Sequence, residues 1–334
     1  MKKILFAIPG NSSFLKPSMA TFKQLGWEVR NVNYRKTDLV AACKNLLKLS
    51  RPIVNEITSN GRPSVKRIIN NQEILRVAKL WKPDLFLTFK GEIILLETVV
   101  ALKKIGIKTV NWYPDHLSDT SDNSAIIRAY DHFVYWDSWR TNEYHKQGFQ
   151  NVIYLPFCTT PEESLAPKNK KYQINFVASW QEHREKKITP VASLGLKIWG
   201  NNAWAQSKLS QNYQFGPVTA EEMIGIIRNS KITLNVHVVE QVYSEGTNVR
   251  TFEAAGAGGF LLVNKRKSLY ELFNVGREIE VFDSCEELVE KTKFYLKKDL
   301  LREKIAKAGW ERTRKDHTYH KRFSLLLKKI EPII

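Results

Sequence analysis

Paired cysteines, long apolar runs and acidic charge are all scarce in this 334-residue chain. Cys43, Cys158 and Cys285 stand far apart with no C-x-x-C among them. That excludes a zinc ribbon and a disulfide framework, and makes a reducing cytoplasm the expected compartment. No stretch approaches the roughly 20 apolar residues needed to cross a bilayer. The opening MKKILFAIPG is basic at its start, but its apolar core stops after about six residues at Pro9-Gly10, which suits a buried first strand better than a secretory signal. Asp-x-Asp is absent, so a metal site built on that motif has no support. Gly10-Asn11-Ser12 is not a G-x-G-x-x-G loop, which counts against a nicotinamide dinucleotide site. No internal repeat or low-complexity tract is found.

What is present describes a globular, basic protein. Apolar residues make up 43% and charged residues 26%, and 52 Lys and Arg face 34 Asp and Glu, a net charge of +18. The excess is uneven: Lys291–Ile334 holds 14 basic and 5 acidic residues, a net +9. A second patch comprises Lys44, Lys48, Arg51, Arg62, Lys66 and Arg67, with Glu56 the acid among them. Such patches are solvated helix faces in the bland case; otherwise they suit anionic lipid, nucleic acid or a polyanionic substrate.

Strand-like and helix-like segments alternate, which predicts parallel sheets with helices on both faces. Ile4–Ile8, Trp27–Tyr34, Asp84–Phe89, Lys108–Tyr113, Asp131–Trp136 and Val152–Leu155 read as six strands. Residues 159–172 (TTPEESLAPKNKKY), with two prolines and little apolar material, read as a linker. The pattern restarts at Ile174–Ala178, Leu196–Trp199, Ile232–Val236, Phe260–Val263 and Ile279–Phe282. Thr219 with Glu222, and Ser284 with Glu287, have capping-box spacing. The expected organisation is a domain over 1–158, the linker 159–172, a second domain over 173–315 and a last basic helix over 316–334.

Ligands of open α/β sheets bind at the carboxyl ends of the strands, so the polar residues that follow strands are the candidates. In the first half these include Gly10, Asn11, Lys90, Asp115 and His116; in the second, Ser179 and Arg184 and the stretch SEGTNVRTFEAAGAGG after Val236. There Gly246-Thr247-Asn248 opens a helix bearing Arg250 and Glu253, and Gly256, Gly258 and Gly259 close it. A helix N-terminus with an Arg beside it suits a diphosphate, and a carboxylate such as Glu253 can accept both hydroxyls of a ribose. The plain alternative is an Arg and a Glu paired with each other. His183, His237, Trp112, Trp136, Trp139 and Trp180 are more ordinary as structural residues.

The segments KPDLFLTFKGE, VNWYPDH, INFVASWQEHREKK and NVRTFEAAGAGGFLLVNKRKSLYELF resemble, in order and over nearly the whole chain, CgeB-like glycosyltransferases of the GT-B fold. More distantly the chain is similar to phage DNA glucosyltransferases. The resemblance implies two Rossmann-like doubly wound domains facing across a cleft, with the last helix returning to the first. It implies a nucleotide-sugar donor, UDP-linked, held by Ser179, Arg184, Thr247, Asn248, Arg250 and Glu253, and Asp115 as general base with His116 as fallback. Glu245 lies seven residues before Glu253, as the sugar-contacting Glu does in many retaining GT-B enzymes, but the glycine after it departs from their pattern. Gly10, Asn11 and Lys90 are expected in the same cleft. No cofactor and no obligatory metal are implied. The acceptor is expected to be a glycan, lipid-linked glycan or protein hydroxyl, and the location cytoplasmic, peripheral on the inner face of a membrane. Competing readings are transfer to nucleic acid, for which the charge argues, and a non-catalytic nucleotide-sugar-binding partner.

Overall fold

The computed structural model describes residues 1–34, 65–117, 121–238 and 244–330. Lys44, Lys48, Arg51 and Arg62 of the second basic patch, and Cys43, lie outside them. The chain divides into two compact units: Met1–Trp136 with Thr141–Leu155 and Phe323–Ile334, and Asp137–Arg140 with Pro156–Arg322.

The first unit is a six-stranded parallel sheet in the order β2-β1-β3-β4-β5-β6. Its central strands β1 (Lys3–Ala7), β3 (Leu85–Phe89), β4 (Lys108–Tyr113) and β5 (His132–Tyr135) are apolar runs rather than alternating ones. Helices cover both faces of such a sheet, so both faces of each strand must be apolar. Edge strands β2 (Glu28–Val32) and β6 (Val152–Tyr154) are more polar or short. Among the described residues, helices α1 (Leu15–Gln24), α2 (Val65–Trp81), α3 (Leu96–Lys104), α4 (Ser121–Ala129) and most of α5 (Ser138–Lys146) belong to this unit. Phe22 of α1 packs between Phe6 and Phe323, with ring centroids 5.5 and 4.8 Å away, and Trp112 also meets Phe323. Arg67, expected on an exposed patch, instead donates to the carbonyls of Ile93 and Glu92.

The second unit is a five-stranded parallel sheet in the order β11-β10-β9-β7-β8. The strands are β7 (Tyr172–Val177), β8 (Leu196–Trp199), β9 (Ser230–Asn235), β10 (Leu261–Asn264) and β11 (Glu280–Phe282). Its helices are α6 (Glu182–Ile188), α7 (Ala220–Arg228), α8 (Val249–Gly256), α9 (Lys267–Leu272), α10 (Cys285–Leu296) and α11 (Asp299–Asp316). The core joins Ile174, Phe176, Ile232, Leu234, Leu262 and Phe282 from the strands to Leu288 and Ile305 from the helices. Thr219 and Glu222 form a full capping box at α7. At α10 only half forms: Ser284 accepts from Glu287 N–H, while the Glu287 carboxylate turns to Asp283 N–H and Lys291. A last helix, α12 (Tyr319–Ile330), starts three residues later than expected, and from Phe323 it is counted with the first unit.

The segment 159–172 is not a free linker. The boundary falls at Pro156, and the segment is built into the second unit by its backbone. Glu162 N–H donates to Gly256 O at 2.9 Å, and its carbonyl accepts from the Trp310 indole at 2.9 Å. The Arg228 guanidinium donates to Ser164 O and Leu165 O. A stretch with few apolar side chains is held here through its main-chain hydrogen bonds, which composition does not reveal.

Candidate active site

In the second unit the strand order reverses between β7 and β9, so the crossovers leave this pair in opposite directions. That switch point opens a crevice at the carboxyl ends of the two strands. A concavity of about 250 Å³ lies there, lined by residues that include Ser179, Arg184, Asn235, Asn248 and Arg250. Helix α8 begins beside it. Asn248 is its N-cap, accepting Thr251 N–H on its side-chain oxygen, and it exchanges hydrogen bonds of 2.8 and 3.2 Å with Asn235.

His237 supports this helix start from beneath. It is fully buried, and its backbone N–H and Nδ1 both meet Asn264 Oδ1, at 2.9 and 2.7 Å. An amide oxygen only accepts, so the ring proton sits on Nδ1. Nε2 is therefore the acceptor for the Thr247 hydroxyl at 3.0 Å and Asn248 N–H at 3.3 Å. Burial, then the Arg266 cation, push its pKa down to about 3 despite the Asn264 hydrogen bond.

Three arginines converge on this end of the sheet. Arg184 is buried and clamps the two strand ends, donating from Nε to Val236 O and from Nη1 to Ser179 O, both at 3.0 Å. Arg250 lies 3.1 Å from Glu253 through Nη1, but that nitrogen is buried and not aimed at any acceptor as a hydrogen bond. Burial holds its pKa below the usual arginine range, opposed by Glu253. Arg266 follows β10; its Nε is buried with no hydrogen-bond acceptor, and burial lowers its pKa against the pull of Glu245 and Asp137. Sequence reasoning missed Arg266 and Asn235. The available signal was a polar residue closing an apolar strand, as Asn235 does in SKITLN.

Three expected donor residues stand apart from the concavity's lining: Thr247, buried with its hydroxyl on His237 and Thr251, Glu253 and Glu245. Glu253 faces Arg250, the plain alternative weighed from the sequence. Glu245 turns to the start of α9, with Oε1 3.2 Å from Lys267 Nζ and its carbonyl accepting Ser268 N–H. Trp180 donates to Glu185 at 2.7 Å, and Trp112 and Trp136 are core residues of the first unit.

In the first unit, Lys90 and Asp115 come together. Lys90 Nζ is 2.6 Å from the Asp115 carboxylate and 2.9 Å from Glu92. Burial works against the Lys90 charge, but the hydrogen bonds it donates to Asp115 and Glu92 outweigh it and raise its pKa above the ordinary lysine range. Lys90 occupies the left-handed region at φ 66°, where a side chain costs roughly 1 kcal/mol or more. Trp136 Nε1 donates to Asp115 O, fixing the backbone beneath the carboxylate. The neighbouring Tyr113 phenol is pushed up to about 12, first by burial and then by Glu92. His116 is exposed, as are Gly10 and Asn11 in the loop after β1. Among the described residues no three His, Cys, Asp or Glu side chains group as a metal site, and no helix is long and apolar enough to cross a membrane.

Residues 175–328 match the model of a family described as glycosyl transferase-like. No curated protein sequence matches the chain. A glycosyltransferase from Rickettsia africae ESF-5 is similar in structure at 13% identity and TM-score 0.67, covering 99% of this chain and 98% of its own. Anabaena HepE, in complex with UDP and glucose, is similar at 10% identity and TM-score 0.64, with both chains covered in full (100%). The apo lipopolysaccharide outer core galactosyltransferase WaaB is similar at 13% identity and TM-score 0.59, covering 98% and 99%. Parallel sheets of six and five strands match these structures over nearly the whole chain, so the protein has the GT-B fold, and the segment similar to the glycosyl transferase-like family fills most of its second unit.

Proposed function

We propose that this enzyme transfers a sugar from a UDP-linked donor to a hydroxyl of a glycan, lipid-linked glycan or protein, and that it is of the CgeB-like kind. The observation that carries the donor half is Arg250: a guanidinium nitrogen buried without a hydrogen-bond acceptor, in a concavity beside a helix N-terminus. The nearest charge, Glu253, lies 3.1 Å from that nitrogen but off the hydrogen-bond direction, and a phosphate oxygen entering the concavity would accept a charge-assisted bond. Ser179 and the α8 N-terminus with Thr247 and Asn248 share the diphosphate, Glu253 takes the ribose, and Glu245 is assigned to the sugar. HepE is bound to UDP and glucose in its structure, which supports UDP as the nucleotide.

In the reaction the acceptor oxygen attacks the anomeric carbon, the bond from that carbon to the phosphate oxygen breaks, and its electron pair leaves with UDP. The acceptor proton passes to Asp115, giving inversion, with His116 the fallback base. Arg250, Arg184 and the helix dipole stabilise the departing diphosphate without an obligatory metal. Lys90 holds the Asp115 carboxylate in place. The basic surface favours peripheral contact with anionic lipid at the cytoplasmic face, where a lipid-linked acceptor would be met.

The test is turnover of UDP-sugars by Asp115→Asn, which keeps the shape of the side chain and removes its basicity. Turnover should fall at least about a hundredfold with UDP affinity unchanged. Near-normal turnover, or product that retains the donor's anomeric configuration, sinks Asp115 as the base; failure of UDP to bind at all sinks the donor reading. Activity should persist in EDTA, and its loss there would overturn the metal-free mechanism.

A further inference from the structure

At the amino-terminal end of the same sheet, where Ser230 begins β9, lies a second cavity of about 160 Å³. Its walls are mostly apolar. Phe260, buried and 4.6 Å from the Tyr295 ring, and Ala306 of α11 contribute to them. One side is Leu165–Pro167, from the segment expected as a linker. Arg228 pins that wall through the carbonyls of Ser164 and Leu165 at 2.8 and 3.0 Å. Gly258 at φ 72° allows its close approach: a Cβ there would stand 3.1 Å from Ala166 N. The hydrogen-bonded segment is thus one wall of a built pocket.

Five basic side chains line the cavity against two acidic ones, Asp299 and Glu303. Asp299 is taken by Arg302, which also donates to Tyr295 O. Lys170 is half-buried and donates to Arg228 O at 2.8 Å. Lys168 and Lys231 complete the rim on the side of the β7 and β9 starts, and Lys307 on that of α11. An apolar interior with surplus positive charge at its edge suits a ligand with an apolar body and one negative group. A closed cavity of about 150 Å³ accepts a benzene ring, which sets the size of that body.

We propose that this cavity binds a small organic anion, its ring or short chain against Phe260 and Ala306 and its charged group on Lys170. The site is separate from the concavity at the carboxyl ends of β7 and β9, and the proposal stands whether or not UDP is the donor. The state of Lys170 agrees with it. Burial brings its pKa down to about 8; Glu303 resists the fall, and Arg228 and Arg302 add to it. A bound anion would offset that burial and draw the proton back.

Calorimetry on the full chain with benzoate, benzyl alcohol and acetate tests this. Benzoate should bind one site with Kd of about 1 mM or tighter, and the neutral alcohol and the body-less acetate at least about tenfold more weakly. Benzoate affinity should fall as pH rises through 8, because Lys170 is the cation below that value and neutral above it. Lys170→Met keeps the length and removes the charge, and should weaken benzoate at least about tenfold with the thermal melt unchanged. If that variant melts early, Lys168→Gln with Lys231→Gln should still weaken benzoate several-fold. No saturable benzoate binding up to about 20 mM, equal binding of benzyl alcohol, or wild-type affinity in these variants overturns the proposal.

Discussion

Acid should unfold the second unit through two buried histidines before its carboxylates titrate. His237 and His317 are 1% and 2% exposed, and burial is the main cause that sets each near a pKa of about 3. His317 donates from Nε2 to Leu272 O at 2.9 Å and accepts from Arg322 Nη2 at Nδ1 at 2.8 Å. Protonation would set Nδ1–H against that guanidinium, and in His237 would set Nε2–H against Asn248 N–H. In the unfolded chain both titrate near 6.5. Between about 3 and 6.5 the unfolded state therefore binds more protons, so stability falls as pH falls through that window. From pH 7.5 to pH 5.0 the linkage relation gives a loss of about 2 kcal/mol per histidine. That figure depends mainly on the unfolded value, since pH 5.0 lies well above the folded one. The assay is urea unfolding across this range. His317→Gln, which keeps a donor to Leu272, should halve the slope. UDP affinity should also fall toward the acid end, because His237 underlies Thr247 and Asn248. A flat profile between pH 7.5 and 5.0, or an undiminished slope in His317→Gln, would refute the reasoning.

Arg250→Met should weaken UDP by about 10- to 100-fold, the worth of a charge-assisted bond, while leaving uridine affinity unchanged; equal losses on both would show that Arg250 does not read phosphate. Glu253→Gln should weaken UDP and uridine alike by about tenfold. A gain in UDP affinity would instead make Glu253 only the counter-ion of Arg250. Lys90→Gly relieves a left-handed side chain and should stabilise the fold by about 0.5–1 kcal/mol while lowering turnover, the trade expected of a strained functional position. A variant both more stable and fully active would separate Lys90 from the chemistry of Asp115.

The sheets were legible because their central strands are buried on both faces and must be apolar throughout, as ILFA and LFLTF are. Helix α8 was legible because Asn248 can cap only by side-chain acceptance and the glycines beyond it have small volume and open backbone. Other features depend on partners far away in sequence. Arg184 reads as a phosphate ligand from the chain, yet two of its nitrogens are spent on carbonyls, one of them 52 residues away. His237 could have been a base, but burial, Asn264 and Thr247 make it a fixed neutral post. The wall at 162–170 was unreadable because its hold is main-chain hydrogen bonding to Trp310 and Arg228, and such bonds leave no mark on composition.

Phe323 fills a place between Phe22 and Trp112, so the first unit is not contiguous along the polypeptide. During synthesis its six strands emerge by Tyr154, but the ring that closes them is made only after the whole second unit. At ribosomal rates of about 5–20 residues per second, that leaves about ten to thirty seconds in which Phe22 and Trp112 lack their partner. The second unit, bounded by Pro156 and Arg322, has no such wait for later residues. Its own last residue, Arg322, is made immediately before Phe323, so the two units reach completion together although the first began long before.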